Sequence, residues 1–181
     1  MTLTPTPFSG LFILEPKVLR DARGYFMESF NARVFTQLGL NATFVQDNQS
    51  QSAKGVARGL HYQNKPYAQT KLVRVLSGAV LDIVLDLRSA EPTFGKIFTV
   101  ELSAENFKQL WVPVGFAHGF VTLSEKAEIL YKCDNYYHPQ AEGGINLLDP
   151  QLNLQQYLPA DVVLSEKDQK NPPLQQAHFT F

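Results

Sequence analysis

Strict alternation is the feature that most constrains what this chain can fold into. Between residues 79 and 87 every odd position is apolar (Ala79, Leu81, Ile83, Leu85, Leu87), while Asp82 and Asp86 fall on even ones. Successive side chains of a strand point to opposite faces, so this spacing predicts a strand with one face in a core and its aspartates facing the other way. Comparable short runs occur at 24–30, 43–47, 56–63, 71–76, 97–102, 109–114, 116–122 and 128–135. Turn signals separate many of them: Ser77-Gly78, Pro92-Thr93-Phe94-Gly95 and Pro113-Val114-Gly115. Helical periodicity is confined to 32–38, closed by Gly39, and to a turn opening at Ser165, whose hydroxyl is placed to cap residues 166–168. Nine strands at intervals of roughly 8–14 residues predict an all-β sandwich or barrel. A single domain over 1–181 is expected, with the Gln-, Pro- and Leu-rich stretch beyond Glu142 wrapping it as an extended tail.

Composition narrows the function classes. With 44% hydrophobic and 12% aromatic residues, the chain can bury a sizeable core and is not of the disordered class. Sixteen Lys and Arg stand against 17 Asp and Glu, so there is no bulk field to draw in nucleic acid or an anionic membrane. A single cysteine, Cys133, rules out an intramolecular disulfide and fits a reducing compartment. The first residues lack a basic patch followed by an apolar core, and no apolar stretch approaches the length of a membrane span. A soluble cytoplasmic protein is expected, bound to neither membrane nor nucleic acid.

Few residues are available for chemistry. Read as a plain strand, 56–63 puts Ala57, Gly59 and His61 on one face; two near-absent side chains beside an imidazole leave room for a ligand and a base to act on it. The bland alternative is a histidine on a solvated edge, with the glycine marking a bulge. Lys71 opens the next strand, where a hairpin pairing would set a cation beside His61 to stabilise an oxyanion; a solvated strand-end lysine is the competing reading. His118 lies between glycines in Gly115-Phe116-Ala117-His118-Gly119-Phe120, and Tyr131 alternates with Ile129 and Cys133, so its phenol points to a buried side. Both also fit ordinary core roles. No His-x-His, His-x-x-x-His or cysteine pair suggests a metal, and no phosphate loop, nucleophile elbow or dinucleotide fingerprint occurs. Acid–base work by side chains alone is the simplest chemistry left.

Several blocks in fixed order carry a resemblance. They are Asp21-Ala22-Arg23-Gly24-Tyr25-Phe26-Met27-Glu28-Ser29, Gln46-Asp47-Asn48, Arg58-Gly59-Leu60-His61-Tyr62-Gln63, Pro92-Thr93-Phe94-Gly95, Leu110-Trp111-Val112-Pro113, Gly115 to Phe120, Leu130-Tyr131-Lys132 and Leu164-Ser165-Glu166-Lys167-Asp168. Together they resemble the dTDP-4-dehydrorhamnose 3,5-epimerases over nearly the whole chain. The resemblance implies a cupin-type jelly roll (a double-stranded β-helix), usually a homodimer, working without metal or nucleotide cofactor on a dTDP-linked 4-keto-6-deoxyhexose. It implies inversion of C3 and C5, with His61 as base, Asp168 as its partner, Tyr131 as acid and Lys71 facing the enolate oxygen. Arg23, Glu28, Gln46, Asn48, Arg58, His118, Glu142 and Lys167 match positions that hold the nucleotide sugar, and Tyr137 matches the ring that stacks on thymine. The chain departs from the family at Leu19, where an aromatic is often found, and after Gly144, where Ile145-Asn146-Leu147-Leu148-Asp149-Pro150 replaces a tryptophan-bearing stretch. A C3-only epimerase, a non-catalytic sugar-binding jelly roll and a metal-dependent cupin are the alternatives.

Overall fold

The computed structural model covers residues 1–181 and contains 13 strands, with two short α-helices. One antiparallel sheet has the order β1 (Thr2–Pro5), β2 (Phe12–Glu15), β10 (Gln109–Val112), β7 (Lys71–Ser77), β12 (Lys126–Cys133), β5 (Gln46–Ala53). The second has the order β13 (Glu142–Gly144), β6 (Ala57–Gln63), β11 (Phe116–Thr122), β8 (Ala79–Asp86), β9 (Ile97–Ser103). From β5 to β13 the chain changes sheet at every connection except β8 to β9, which winds it into the expected jelly roll. A separate two-stranded hairpin, β3 (Val18–Asp21) and β4 (Gly24–Met27), belongs to neither sheet.

Three apolar clusters hold these layers. Val73, Val75, Leu110 and Ile129 of the first sheet meet Val80, Val84, Phe116 and Phe120 of the second, filling the space between them. On the outer face of the second sheet, Leu60, Ile83, Leu85 and Val121 are covered by Ile145, Leu147, Leu154 and Leu164 of the C-terminal segment. On the outer face of the first, Leu14, Leu72 and Trp111 are covered by Phe35 and Leu40. Phe35 is carried by helix α1 (Ala32–Gln37), whose N-cap Asn31 accepts from the Arg33 and Val34 amides and whose end is turned by Gly39 at φ +81°. Each fully buried leucine or isoleucine here contributes about 1.5–3 kcal/mol through area removed from water.

Because the second sheet is covered outside as well as inside, the one-faced reading of residues 79–87 is corrected. Leu81, Ile83 and Leu85 do share a face, but Val80, Val84 and both aspartates point into protein, and Asp82 and Asp86 are fully buried. Asp86 is satisfied there by Arg88 and Thr93. The run at 43–47 is displaced: β5 spans Gln46–Ala53, and its polar sequence, Gln-Asp-Asn-Gln-Ser-Gln-Ser-Ala, hides it from a hydrophobic pattern. Lys71 is corrected too: β7 does not pair with β6 but lies in the facing sheet.

The largest local correction concerns β6. In the β6–β11 pairing, His61 lies opposite His118 while Arg58 lies opposite Phe120, so three steps on one strand match two on the other. This is a β-bulge at Gly59–Leu60. It breaks the alternation, turning Arg58 and His61 to the inner face with His118 and Phe120, while Ala57 joins the outer cluster. Gly59 has φ +116°, and a Cβ there would stand 2.6 Å from the Gly119 Cα, so this position requires glycine.

Candidate active site

The bulge delivers His61 to a carboxylate. Asp168 sits in helix α2 (Glu166–Gln169), whose N-cap Ser165 accepts from the Asp168 amide, the cap the sequence leads one to expect. From there Asp168 Oδ1 lies 2.6 Å from His61 Nε2, and Oδ2 accepts from the Gly59 amide at 3.3 Å. A neutral His61 therefore carries its proton on Nε2, donated to Asp168, and Nδ1 is left as the basic atom. Burial works against a charged Asp168, but the hydrogen bond and charge of His61, with the Gly59 and Ser165 contacts, outweigh it and hold the carboxyl below its usual range.

A second histidine–aspartate contact lies alongside. His118 Nε2 is 3.0 and 2.9 Å from the two oxygens of Asp82, and both residues are buried. The sequence pattern places Asp82 on the face away from the core; a carboxylate inside an apolar run is the signal that points to this role.

The facing sheet supplies Lys71 and Tyr131. Lys71 Nζ lies 5.9 Å from the centre of the Tyr131 ring. Burial pushes the Lys71 ammonium below the usual lysine range, against the opposing pull of Cys133, Asp82 and Glu142. Burial also pushes the Tyr131 phenol up, which keeps it protonated as an acid must be. His61, Lys71 and Tyr131 all line both of two adjoining hollows, of about 490 and 230 Å³. The larger adds Arg58, His118, Lys167 and Asp168, with Val56, Phe120, Val163 and Leu164 as its apolar part. The smaller is walled by Gln46, Asn48, Gln63, Gln69, Tyr137 and Glu142. Both hollows are lined mostly by polar and charged side chains, which suits a small polar, anionic ligand.

The polar walls are braced. Glu142 accepts from the Tyr137 hydroxyl at 2.6 Å and pairs with Lys167 at 2.6 Å. Although burial opposes its charge, these two partners keep the Glu142 carboxyl below its ordinary range. Gln46 donates to Asn48 and accepts from the Tyr137 amide, and Arg58 is held by Ser52 and the Gln51 carbonyl. All the residues singled out from sequence for the site thus line these two hollows, save Arg23 and Glu28. Those two are exposed, and Arg23 pairs with Asp21 on the β3–β4 hairpin. No three His, Cys, Asp or Glu side chains are grouped so as to hold a metal ion.

Comparison with known proteins bears on this arrangement. The family model described as dTDP-4-dehydrorhamnose 3,5-epimerase matches residues 5–176. The chain belongs to the dTDP-4-dehydrorhamnose 3,5-epimerase family. A member from Shigella flexneri is 51% identical over 169 residues, covering 93% of each chain. Among solved structures, the dTDP-6-deoxy-D-glucose-3,5-epimerase of Legionella pneumophila in complex with dTDP-4-keto-L-rhamnose is 48% identical, with a TM-score of 0.92 over 97% of this chain and 93% of that one. A 3'-monoepimerase from Streptomyces bikiniensis in complex with dTDP-quinovose is more distant, at 32% identity and a TM-score of 0.86 over 94% and 87%. The cupin jelly roll expected from the motifs is the fold that this 3,5-epimerase family shares.

Proposed function

We propose that the chain epimerises dTDP-4-dehydro-6-deoxy-D-glucose at C3 and C5 to dTDP-4-dehydro-L-rhamnose, through an enolate formed between the two sheets. The observation that carries the reading is the opposed placement of His61 and Tyr131, one from each sheet, on the hollows they share with Lys71. A C–H beside a ketone is acidic only because the charge moves onto oxygen, so a fixed cation facing that oxygen lowers the barrier most. His61 Nδ1 takes the proton from carbon, and the C–H electrons move into the new C=C as the ketone oxygen becomes an enolate beside the Lys71 ammonium. Tyr131 then gives its phenolic proton to the opposite face of the same carbon, and the enolate collapses to the ketone. The imidazolium and phenolate left behind exchange protons with solvent before the second carbon reacts. His–Asp pairing stabilises the imidazolium while it lasts.

The 3,5 reading is favoured over a C3-only one by the greater likeness to 3,5-epimerases than to the monoepimerase. The clustering of His61, Asp168, Lys71 and Tyr131 in one cavity favours an enzyme over a sugar-binding module. A diphosphate explains why Arg58, Lys71, His118 and Lys167 line one cavity of a near-neutral chain.

Arg23 and Glu28 fit the same reading if the working unit is a homodimer. The hairpin that carries Arg23 leaves Leu19, Tyr25 and Phe26 exposed, an apolar surface that a second copy would cover while presenting Arg23 and Glu28 to its neighbour's site. No helix is long and apolar enough to cross a membrane, and the lone buried thiol of Cys133 fits a cytoplasmic setting.

Proton NMR of dTDP-4-keto-6-deoxy-D-glucose incubated with the protein in D₂O tests the activity. Deuterium at both C3 and C5 is expected; exchange at C3 alone would move the chain to the monoepimerases, and no exchange would overturn an enzymatic role on this sugar.

A further inference from the structure

Two residues beyond His61, Gln63 has no place in the proton transfers, yet it is among the most heavily bonded side chains of the site. Only 5% of it is exposed. Its Nε2 donates to the Tyr67 carbonyl at 2.7 Å and to the Tyr136 carbonyl at 3.2 Å, and its Oε1 accepts from the His138 amide at 2.6 Å. Both N–H groups and one acceptor lone pair are thus committed to protein backbone, on either side of Tyr137 and on the loop beneath it. The His138 ring stacks on that of Tyr67 at 3.7 Å with 10° between planes, tying the same two segments together.

Tyr137 itself is 51% exposed and is fixed at only two points besides its neighbours: its amide on Gln46 of one sheet and its hydroxyl on Glu142. Apart from local bonds to Asn135, Ala141 and Glu142, the segment 136–138 is tied to the two sheets by two side-chain amides. Gln46, on β5, holds its middle, and Gln63, on β6, holds both flanks. Removing Gln46 leaves the flanks tied to β6; removing Gln63 cuts that tie, leaving the His138–Tyr67 stack, and orphans two carbonyls and an amide at once.

We propose that Gln63 is a positioning residue that sets the height of Tyr137 over the nucleotide end of the site, and so sets affinity for the nucleotide rather than the rate of proton transfer. This rests on the reading above, in which Tyr137 covers the base of a dTDP-sugar. Gln63→Met keeps length and bulk while removing all three hydrogen bonds, and is expected to weaken dTDP binding by roughly tenfold, the size of one or two net hydrogen bonds. KM should rise far more than kcat falls, because Gln63 bonds to Tyr67, Tyr136 and His138 and not to His61, Lys71 or Tyr131.

The decisive comparison is made in a Tyr137→Ala background, with dTDP affinity read by titration calorimetry. If Gln63 acts through Tyr137, Gln63→Met costs little further affinity there, a coupling a merely structural residue would not show. Equal losses in both backgrounds, no loss in either, or a fall in kcat at unchanged KM would each overturn the proposal. If Gln63→Met does not fold, Gln63→Asn, one methylene short of its partners, carries the same comparison. Wild-type protein that binds dTDP but does not turn over the keto-sugar would refute the activity and leave the coupling test intact; failure to bind dTDP would overturn both.

Discussion

Replacing Asp168 by asparagine removes the charge from the His61 pair while keeping an acceptor for the imidazole. The amide oxygen of the new side chain can still accept from His61 Nε2, and the Ser165 cap to the residue's own backbone amide is untouched. What is lost is the anion beside the imidazolium that forms when carbon gives up its proton, together with the acceptor of the Gly59 amide, which the new NH2 group meets as a second donor. With N and O 2.6 Å apart, the charge centres lie about 4 Å from one another, which at an effective dielectric near 20 is worth about 4 kcal/mol. His61 is about a third exposed while Asp168 is nearly closed off, so screening takes part of this and roughly 2–4 kcal/mol remains. At 1.4 kcal/mol per tenfold, kcat should fall by about 30- to 1,000-fold. The assay is the initial rate of deuterium entry at C3 and C5 in D₂O at saturating keto-sugar, with circular dichroism confirming the fold. A folded Asp168→Asn protein whose kcat stays within threefold of wild type would refute the imidazolium stabilisation, and with it the case for His61 as base.

Three further outcomes follow from the same geometry. Burial lowers the Lys71 ammonium and raises the Tyr131 phenol, so the alkaline limb of kcat/KM should fall below the ordinary lysine value near 10.4 and should persist in Tyr131→Phe; a limb that vanishes in that variant would assign it to the phenol instead. Tyr131→Phe should also cut epimerised product more than it cuts proton exchange, because His61 can still remove and return a proton on its own face; equal losses would remove Tyr131 as the acid. Asp168 has a depressed folded value, so it adds stability above the unfolded carboxyl range near 3.9 that is lost as pH falls through the folded one; thermal unfolding of Asp168→Asn should accordingly depend less on pH between about 5 and 2.

What could be read in the chain and what could not divide along physical lines. Strands β7, β8, β9, β11 and β12 alternate because one or both faces enter apolar clusters, and alternation is what a pattern of side chains records. Strands β1, β2, β3 and β13, each of four residues or fewer, carry too little periodicity to stand out, and β5 is polar along its length. The Ser165 cap was legible because its partner lies three residues away, whereas the pairing of Asp82 with His118 spans 36 residues and two strands. The sequence points to His61, but on the wrong face: Gly59 reads as empty space, while its work is to bend β6 so that the histidine turns inward and its own amide reaches Asp168. Gln63 is legible only as the last residue of the Arg58–Gln63 block, since nothing in one sequence shows that three backbone groups converge on it.

In the proposed mechanism the two sheets also divide the labour of inversion, with the proton acceptor riding on one and the donor on the other. Their separation is therefore a mechanical quantity, set by Val73, Val75, Val84, Phe116 and Phe120 in the layer between them rather than by any bond at the site. Interiors this dense transmit strain, so a methylene removed there is felt as a change in the gap across which a sugar ring must be gripped. Mild denaturant or a cavity in that layer should then silence turnover while the chain is still folded, with the enzyme behaving as a calliper whose jaws have lost their calibration before its frame gives way.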